Sequence, residues 1–221
     1  MYRTPYAACR GAIVASLALL SCMLSIPGAS QKVGSDKEIS PVLFGLFFED
    51  INYAADGGLY AEMVQNRSFE YSPTSRKEWG PFTYWEYITP GFSYGSVHIE
   101  TNTPLHPNNP HYVVLDIEHV GKEENHEGPS GVGLKNTGFD GMVVRAGETY
   151  NLSLFARQLT NSPVTLSVSL QTPEGNLLAE SELSTTSNEW KKYTISLTTA
   201  ESCDSASLVL LAITKGKLAL D

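Results

Sequence analysis

Four side chains able to do chemistry, Glu49, Asp50, Asn52 and Tyr53, follow directly on the apolar run 43–48, Leu-Phe-Gly-Leu-Phe-Phe. A carboxylate accepts two hydrogen bonds in a fixed geometry, and an amide and a phenol supply both donors and acceptors. An unbroken apolar run suits a strand buried on both faces, as in a parallel sheet covered by helices. In (β/α)₈ barrels, polar residues at the C-terminal end of such a strand face the active-site mouth. Successive strand residues point to opposite faces, so Glu49 and Asp50 cannot enter one mouth together as an acid/base pair. One carboxylate is delivered into the pocket and the other orients the loop. Asn52 and Tyr53 either line the same mouth or form a structured turn.

The elements that must position these groups follow in sequence. Asp56 is placed to cap a helix after the strand, and Leu59 with Met63, then Tyr60 with Val64, recur at amphipathic helical spacing. Residues 31–68 therefore read as one β/α unit. From Phe69 the pattern changes to short alternating segments. Tyr150, Leu152, Leu154 and Ala156 alternate with polar residues, as do Val164, Leu166, Val168 and Leu170, and Tyr193, Ile195 and Leu197. Val97 with Ile99, then 113–117 and 208–213, supply further strands. Period two with one apolar face marks half-buried strands of antiparallel sheets. Turn residues separate them at Thr89-Pro90-Gly91, Arg145-Ala146-Gly147-Glu148 and Pro173-Glu174-Gly175-Asn176. The expected fold is mainly β: a jelly-roll sandwich over 69–221, galactose-binding-like, preceded by the first unit of a truncated (β/α)₈ barrel. A lone β/α unit cannot bury its own faces, so the rest of the barrel is expected after the sandwich, whose last strand reads as truncated.

Between residues 43 and 70, Phe44-Gly45-Leu46-Phe47-Phe48-Glu49-Asp50-Ile51-Asn52, Gly57-Gly58-Leu59-Tyr60-Ala61-Glu62 and Asn66-Arg67-Ser68-Phe69-Glu70 resemble the start of family 51 glycoside hydrolases, the α-L-arabinofuranosidases. The resemblance implies a carbohydrate-binding-module-like sandwich inserted after the first barrel unit. It implies that Glu49 is a substrate-binding glutamate that accepts hydrogen bonds from arabinofuranosyl hydroxyls. It implies a retaining mechanism, in which two carboxyl groups roughly 5–5.5 Å apart act as acid/base and nucleophile. In the family one of these follows an Asn on a later barrel strand. Asn125-His126-Glu127 does not match that pattern, and Asn188-Glu189 falls in the sandwich, so no catalytic residue is assigned within this chain. Related sandwiches hold a structural calcium between first and last strands, which singles out Glu70 and Asp221 as ligands; no other cofactor is implied. Implied partners are the arabinose-bearing wall polysaccharides arabinoxylan and arabinan. The rival reading is a non-catalytic carbohydrate-binding sandwich.

Aromatic residues crowd 79–94, and flat rings stack on the C–H faces of sugars. Trp85 and Tyr87 are the open candidates for stacking, against the alternative of core packing; Trp79 and Trp190 read as structural. Arg3 and Arg10 precede the apolar run 11–24, and Gly28-Ala29-Ser30 offers a cleavage site, so 1–30 reads as a signal peptide. The chain is expected to be secreted or periplasmic. Leu19-Leu20-Ser21-Cys22 loosely matches a lipidation motif, but Met23, Leu24 and Ile26 keep the segment apolar beyond it. Losing the leader removes only Arg3 and Arg10 of 15 basic residues and none of 24 acidic ones, moving the net charge from −9 to −11. That balance argues against nucleic acid as a partner and fits a neutral polysaccharide. Without Cys9 and Cys22, Cys203 has no intrachain partner, and the five histidines show no zinc spacing.

Overall fold

The computed structural model describes residues 54–122 and 128–221. The chain divides into 1–48 and 49–221, and every described residue belongs to the second unit. The expected leader, the apolar strand with Glu49, Asn52 and Tyr53, and the Asn125-His126-Glu127 segment lie outside the described residues.

Eleven strands are described, numbered in chain order: β1 (Trp85–Ile88), β2 (Tyr94–Glu100), β3 (Tyr112–His119), β4 (Val132–Asn136), β5 (Met142–Val144), β6 (Thr149–Gln158), β7 (Val164–Gln171), β8 (Leu177–Thr185), β9 (Lys191–Thr198), β10 (Cys203–Ala212) and β11 (Gly216–Leu220). They form two antiparallel sheets. The first has the order β1-β4-β10-β7-β8, with β5 also on β10, and the second has the order β2-β3-β11-β6-β9. Hairpin pairing between consecutive strands occurs at β2–β3 and β7–β8; elsewhere sequence neighbours lie apart or in opposite sheets. The expected sandwich is present, with 54–68 joined to it rather than leading away.

Alternation explains the core. Leu134, Leu166, Val168, Leu208 and Leu210 of the first sheet meet Leu115, Ile117, Leu154, Leu218 and Leu220 of the second in one buried cluster. Each such side chain contributes roughly 1.5–3 kcal/mol on burial. The expected turns appear where glycine was placed: Gly91, Gly147 and Gly175 all adopt positive φ, at 70°, 80° and 90°.

The expected helix from Asp56 to Val64 is absent. A single π-helical turn, Ala54–Leu59, is followed by an irregular segment in which Ala61 takes φ 49°. Two adjacent glycines weaken a helix, and a left-handed Ala61 ends it. Leu59 and Tyr60 are exposed, whereas Met63 and Val64 pack on the sandwich core, so their apolar spacing reflects a strap across the sheets.

Candidate functional site

Two buried amides fix the strap. Asn136, at the end of β4, accepts from the Gln65 N–H (3.3 Å) and donates to the Gln65 carbonyl (2.9 Å). Asn66 donates to the carbonyls of Pro81 (2.8 Å) and Thr83 (2.9 Å) and accepts from the Tyr71 N–H (3.1 Å). The Asn66 carbonyl receives the indole N–H of Trp85 at 2.9 Å. Trp85 is only 9% exposed and stacks on Phe69 at 5.2 Å, which gives it a packing role. Tyr87 is the outward ring of the two, 41% exposed, with its hydroxyl donating to the Gly95 carbonyl at 2.9 Å. Burial pushes its phenol above the ordinary value, and Glu118 adds to this, so it acts as a neutral donor. Trp79 stacks on Tyr71 at 4.1 Å beneath Arg76, and Trp190 meets Tyr112 edge-on at 5.3 Å beneath Arg157.

Glu70 and Asp221 lie close enough to sense each other. Burial and the Glu70 charge push the Asp221 carboxyl up to about 6. Glu70 spends both oxygens on His111, taking its backbone N–H at 2.9 Å and its Nδ1 at 2.6 Å. Calcium takes six to eight oxygen ligands. Among the described residues no group of three or more Asp, Glu, His or Cys side chains is placed to hold a metal, so a calcium between Glu70 and Asp221 would have to draw its other oxygens from backbone carbonyls and water.

Five-strand registry on the outer face of the first sheet builds a groove. One row runs Glu86, Lys135, Val209, Ser169, Glu180, and the next Ile88, Gly133, Leu211, Ser167, Glu182. Ile88 and Lys135 stand on one side and Glu180 on the other, with Val209 and Leu211 between them, and the loops at Thr89-Pro90, Gly128-Pro129 and Glu174-Gly175-Asn176 complete the lining of a trough. Its volume is about 690 Å³. Val209 and Leu211 form a floor at 3% and 2% exposure. Ser167 donates to Glu180 at 2.6 Å, and Gln171 donates to Ser169 at 3.0 Å, so the polar heads on the walls are held in place. The sequence reading missed this site. Its partial signal is a run of small polar residues at outward positions of β7, but the row exists only once five strands distant in sequence are in register. A smaller cavity of about 270 Å³ lies beside the strap, among Glu62, Arg67, Phe69, Leu154 and Asp221, and it is largely apolar.

No family model matches the chain. Similarity to individual proteins is extensive. An extracellular exo-α-L-arabinofuranosidase of Streptomyces chartreusis is 34% identical over 175 residues, which is 79% of this chain and 19% of that protein. α-L-Arabinofuranosidase 1 of Arabidopsis thaliana is 31% identical over 194 residues, 85% of this chain and 27% of that protein. Among solved structures, the arabinose-bound MgGH51 α-L-arabinofuranosidase superposes with a TM-score of 0.60 at 28% identity, covering 80% of this chain and 28% of that one. The chain thus spans between a fifth and just over a quarter of the length of these relatives.

Proposed function

From a chain homologous to α-L-arabinofuranosidases over most of its own length, we propose that it is the N-terminal part of a secreted enzyme of that activity, removing terminal α-L-arabinofuranosyl units from arabinoxylan or arabinan. The observation that carries this reading is the joint match in sequence and in backbone: 34% and 31% identity to two such enzymes and a TM-score of 0.60 to a third. In this reading 31–53 opens the catalytic barrel, and Glu49, with Asn52 and Tyr53, binds the arabinose ring at its mouth. The two carboxyl groups of a retaining mechanism belong to barrel strands outside residues 1–221. The nucleophile displaces the aglycone, whose oxygen the acid/base protonates, to form a covalent glycosyl-enzyme with inversion. Water deprotonated by the acid/base then releases arabinose with a second inversion.

The test is release of arabinose from an aryl α-L-arabinofuranoside by the full-length protein carrying this chain, with the anomer of the first product read by NMR. Turnover with retention is expected. Glu49→Ala should lower kcat/KM by about ten- to more than a hundredfold, because one charge-assisted hydrogen bond is worth roughly 1.5–3 kcal/mol. Asp50→Asn should act on stability instead. Turnover lost in a folded Asp50→Asn protein but kept in Glu49→Ala would assign the strand's inward face to the wrong residue. No arabinose release by the intact protein would overturn the proposal.

A further inference from the structure

We infer that the trough on the outer face of the first sheet is a binding site for a neutral oligosaccharide, separate from the arabinose-binding mouth. The choice of sugar as ligand rests on the arabinofuranosidase reading. The site itself rests on its geometry. Its volume of about 690 Å³ lies within the roughly 300–1,000 Å³ of ligand pockets. It crosses five paired strands, which at about 4.8 Å per gap is roughly 19 Å, a length suited to a chain of sugars rather than one ring.

The chemistry of the lining selects the ligand. Val209 and Leu211 back the floor, and Leu177, exposed, with the half-buried Ile88 and Pro129 offers apolar surface, the counterpart of the C–H faces of a sugar ring. Lys135, Gln171 and Glu180 line the walls, and a cation, an amide and a carboxylate together can donate to and accept from hydroxyl groups. Two of these heads are fixed in advance by serine hydroxyls, Glu180 by Ser167 and Gln171 by Ser169. Groups already ordered by strand packing lose little entropy when a ligand arrives. The charge balance excludes an anionic chain. Against Lys135 stand Glu180 and Glu174 in the lining, and Glu86 and Glu182 on the same rows. Glu174 keeps its carboxylate ionised below the ordinary range through a hydrogen bond from Thr172. A polyuronate would meet like charge along the walls.

The experiment is calorimetric titration of the 221-residue chain with xylotetraose, with arabinotetraose and with tetragalacturonate. Saturable binding of at least one of the two neutral sugars is expected, with Kd of about 1 mM or tighter, and none of the uronate. Gln171→Ala and Glu180→Ala should each weaken that binding about tenfold, with circular dichroism unchanged and Lys192→Ala, on β9 of the other sheet, as a control outside the trough that leaves affinity unaltered. Failure of both neutral sugars to bind would overturn the inference, as would equal or tighter binding of tetragalacturonate, or full affinity in both trough variants. Since binding is read here and arabinose release in the intact protein, the two readings fail independently: loss of one leaves the other measurement standing.

Discussion

Asn66 opens the sequence Asn66-Arg67-Ser68, which has the form of an N-glycosylation acceptor, as does Asn151-Leu152-Ser153. In the fold the two asparagines differ. Asn66 is 6% exposed, adopts φ 54°, and commits its amide nitrogen to Pro81 and Thr83. Asn151 is exposed on β6. Asn66→Ala should therefore destabilise by about 1–3 kcal/mol, because it strands two part-buried carbonyls and the Tyr71 N–H. The urea midpoint measures this, and a shift below about 0.5 kcal/mol would show that the strap is not anchored there. Asp221 carries a second test at this scale. Its folded-state value of about 6 stands above the ordinary 3.8, so the folded chain holds the proton more tightly than the unfolded one. Stability should fall as pH rises from about 3.8 to about 6 and level off above. Asp221→Asn should flatten that slope in thermal melts, whereas an unchanged slope would place the titration elsewhere.

At the scale of elements, the irregular strap is the most informative departure from expectation. Ala61 at φ 49° pays the steric cost of a left-handed L-residue, about 1–2 kcal/mol, which glycine relieves. Ala61→Gly should thus raise stability by a few tenths to about 1 kcal/mol. In a helix the same change would lower it by about 1 kcal/mol, so the sign of the shift decides between the two conformations. The contrast shows what was legible. β6, β7 and β9 declared themselves because their apolar residues recur with period two and face one core. β8 and β4 were harder to read: Leu178 and Ala179 are adjacent and both buried, and β4 carries Gly133 and Lys135 on the outer face. Ser167 and Ser169 look solvent-facing in sequence but are each 1% exposed and hydrogen-bonded to Glu180 and Gln171. Periodicity records which face a residue is on; it does not record what stands beside it across the sheet. The strap misled for a related reason, since apolar residues four apart pack equally well along a crossing segment held by Asn66 and Asn136.

At the scale of the whole molecule, a sandwich with its own buried core and a chain spanning 19% and 27% of two arabinofuranosidases pose the question of what residues 1–221 do alone. Retaining hydrolysis needs two carboxyl groups roughly 5–5.5 Å apart across a bound sugar, one protonated and one free to attack. The described carboxylates that are held in place serve other ends. Glu70 is held by His111, Glu180 by Ser167, and Arg145 pairs with Asp204 at 2.5 Å on the surface. Glu189 of the Asn188-Glu189 pair sits in the turn before β9 beside Ser187, its backbone N–H donating to the Ser187 hydroxyl at 3.1 Å. Positioned acid/base catalysis alone supplies about 10²–10⁴-fold, and covalent catalysis depends on the partner carboxylate as well. The purified 221-residue chain should therefore fold, as a cooperative urea transition followed by tryptophan fluorescence would show, and yet release no arabinose from an aryl arabinofuranoside above the buffer rate. Folding without turnover is the outcome that fits a non-catalytic sandwich joined to a barrel. Turnover by this chain, abolished by a single Glu→Gln change that leaves the urea midpoint in place, would locate a catalytic carboxylate inside residues 1–221 and remove the reason for assigning the pair to later strands.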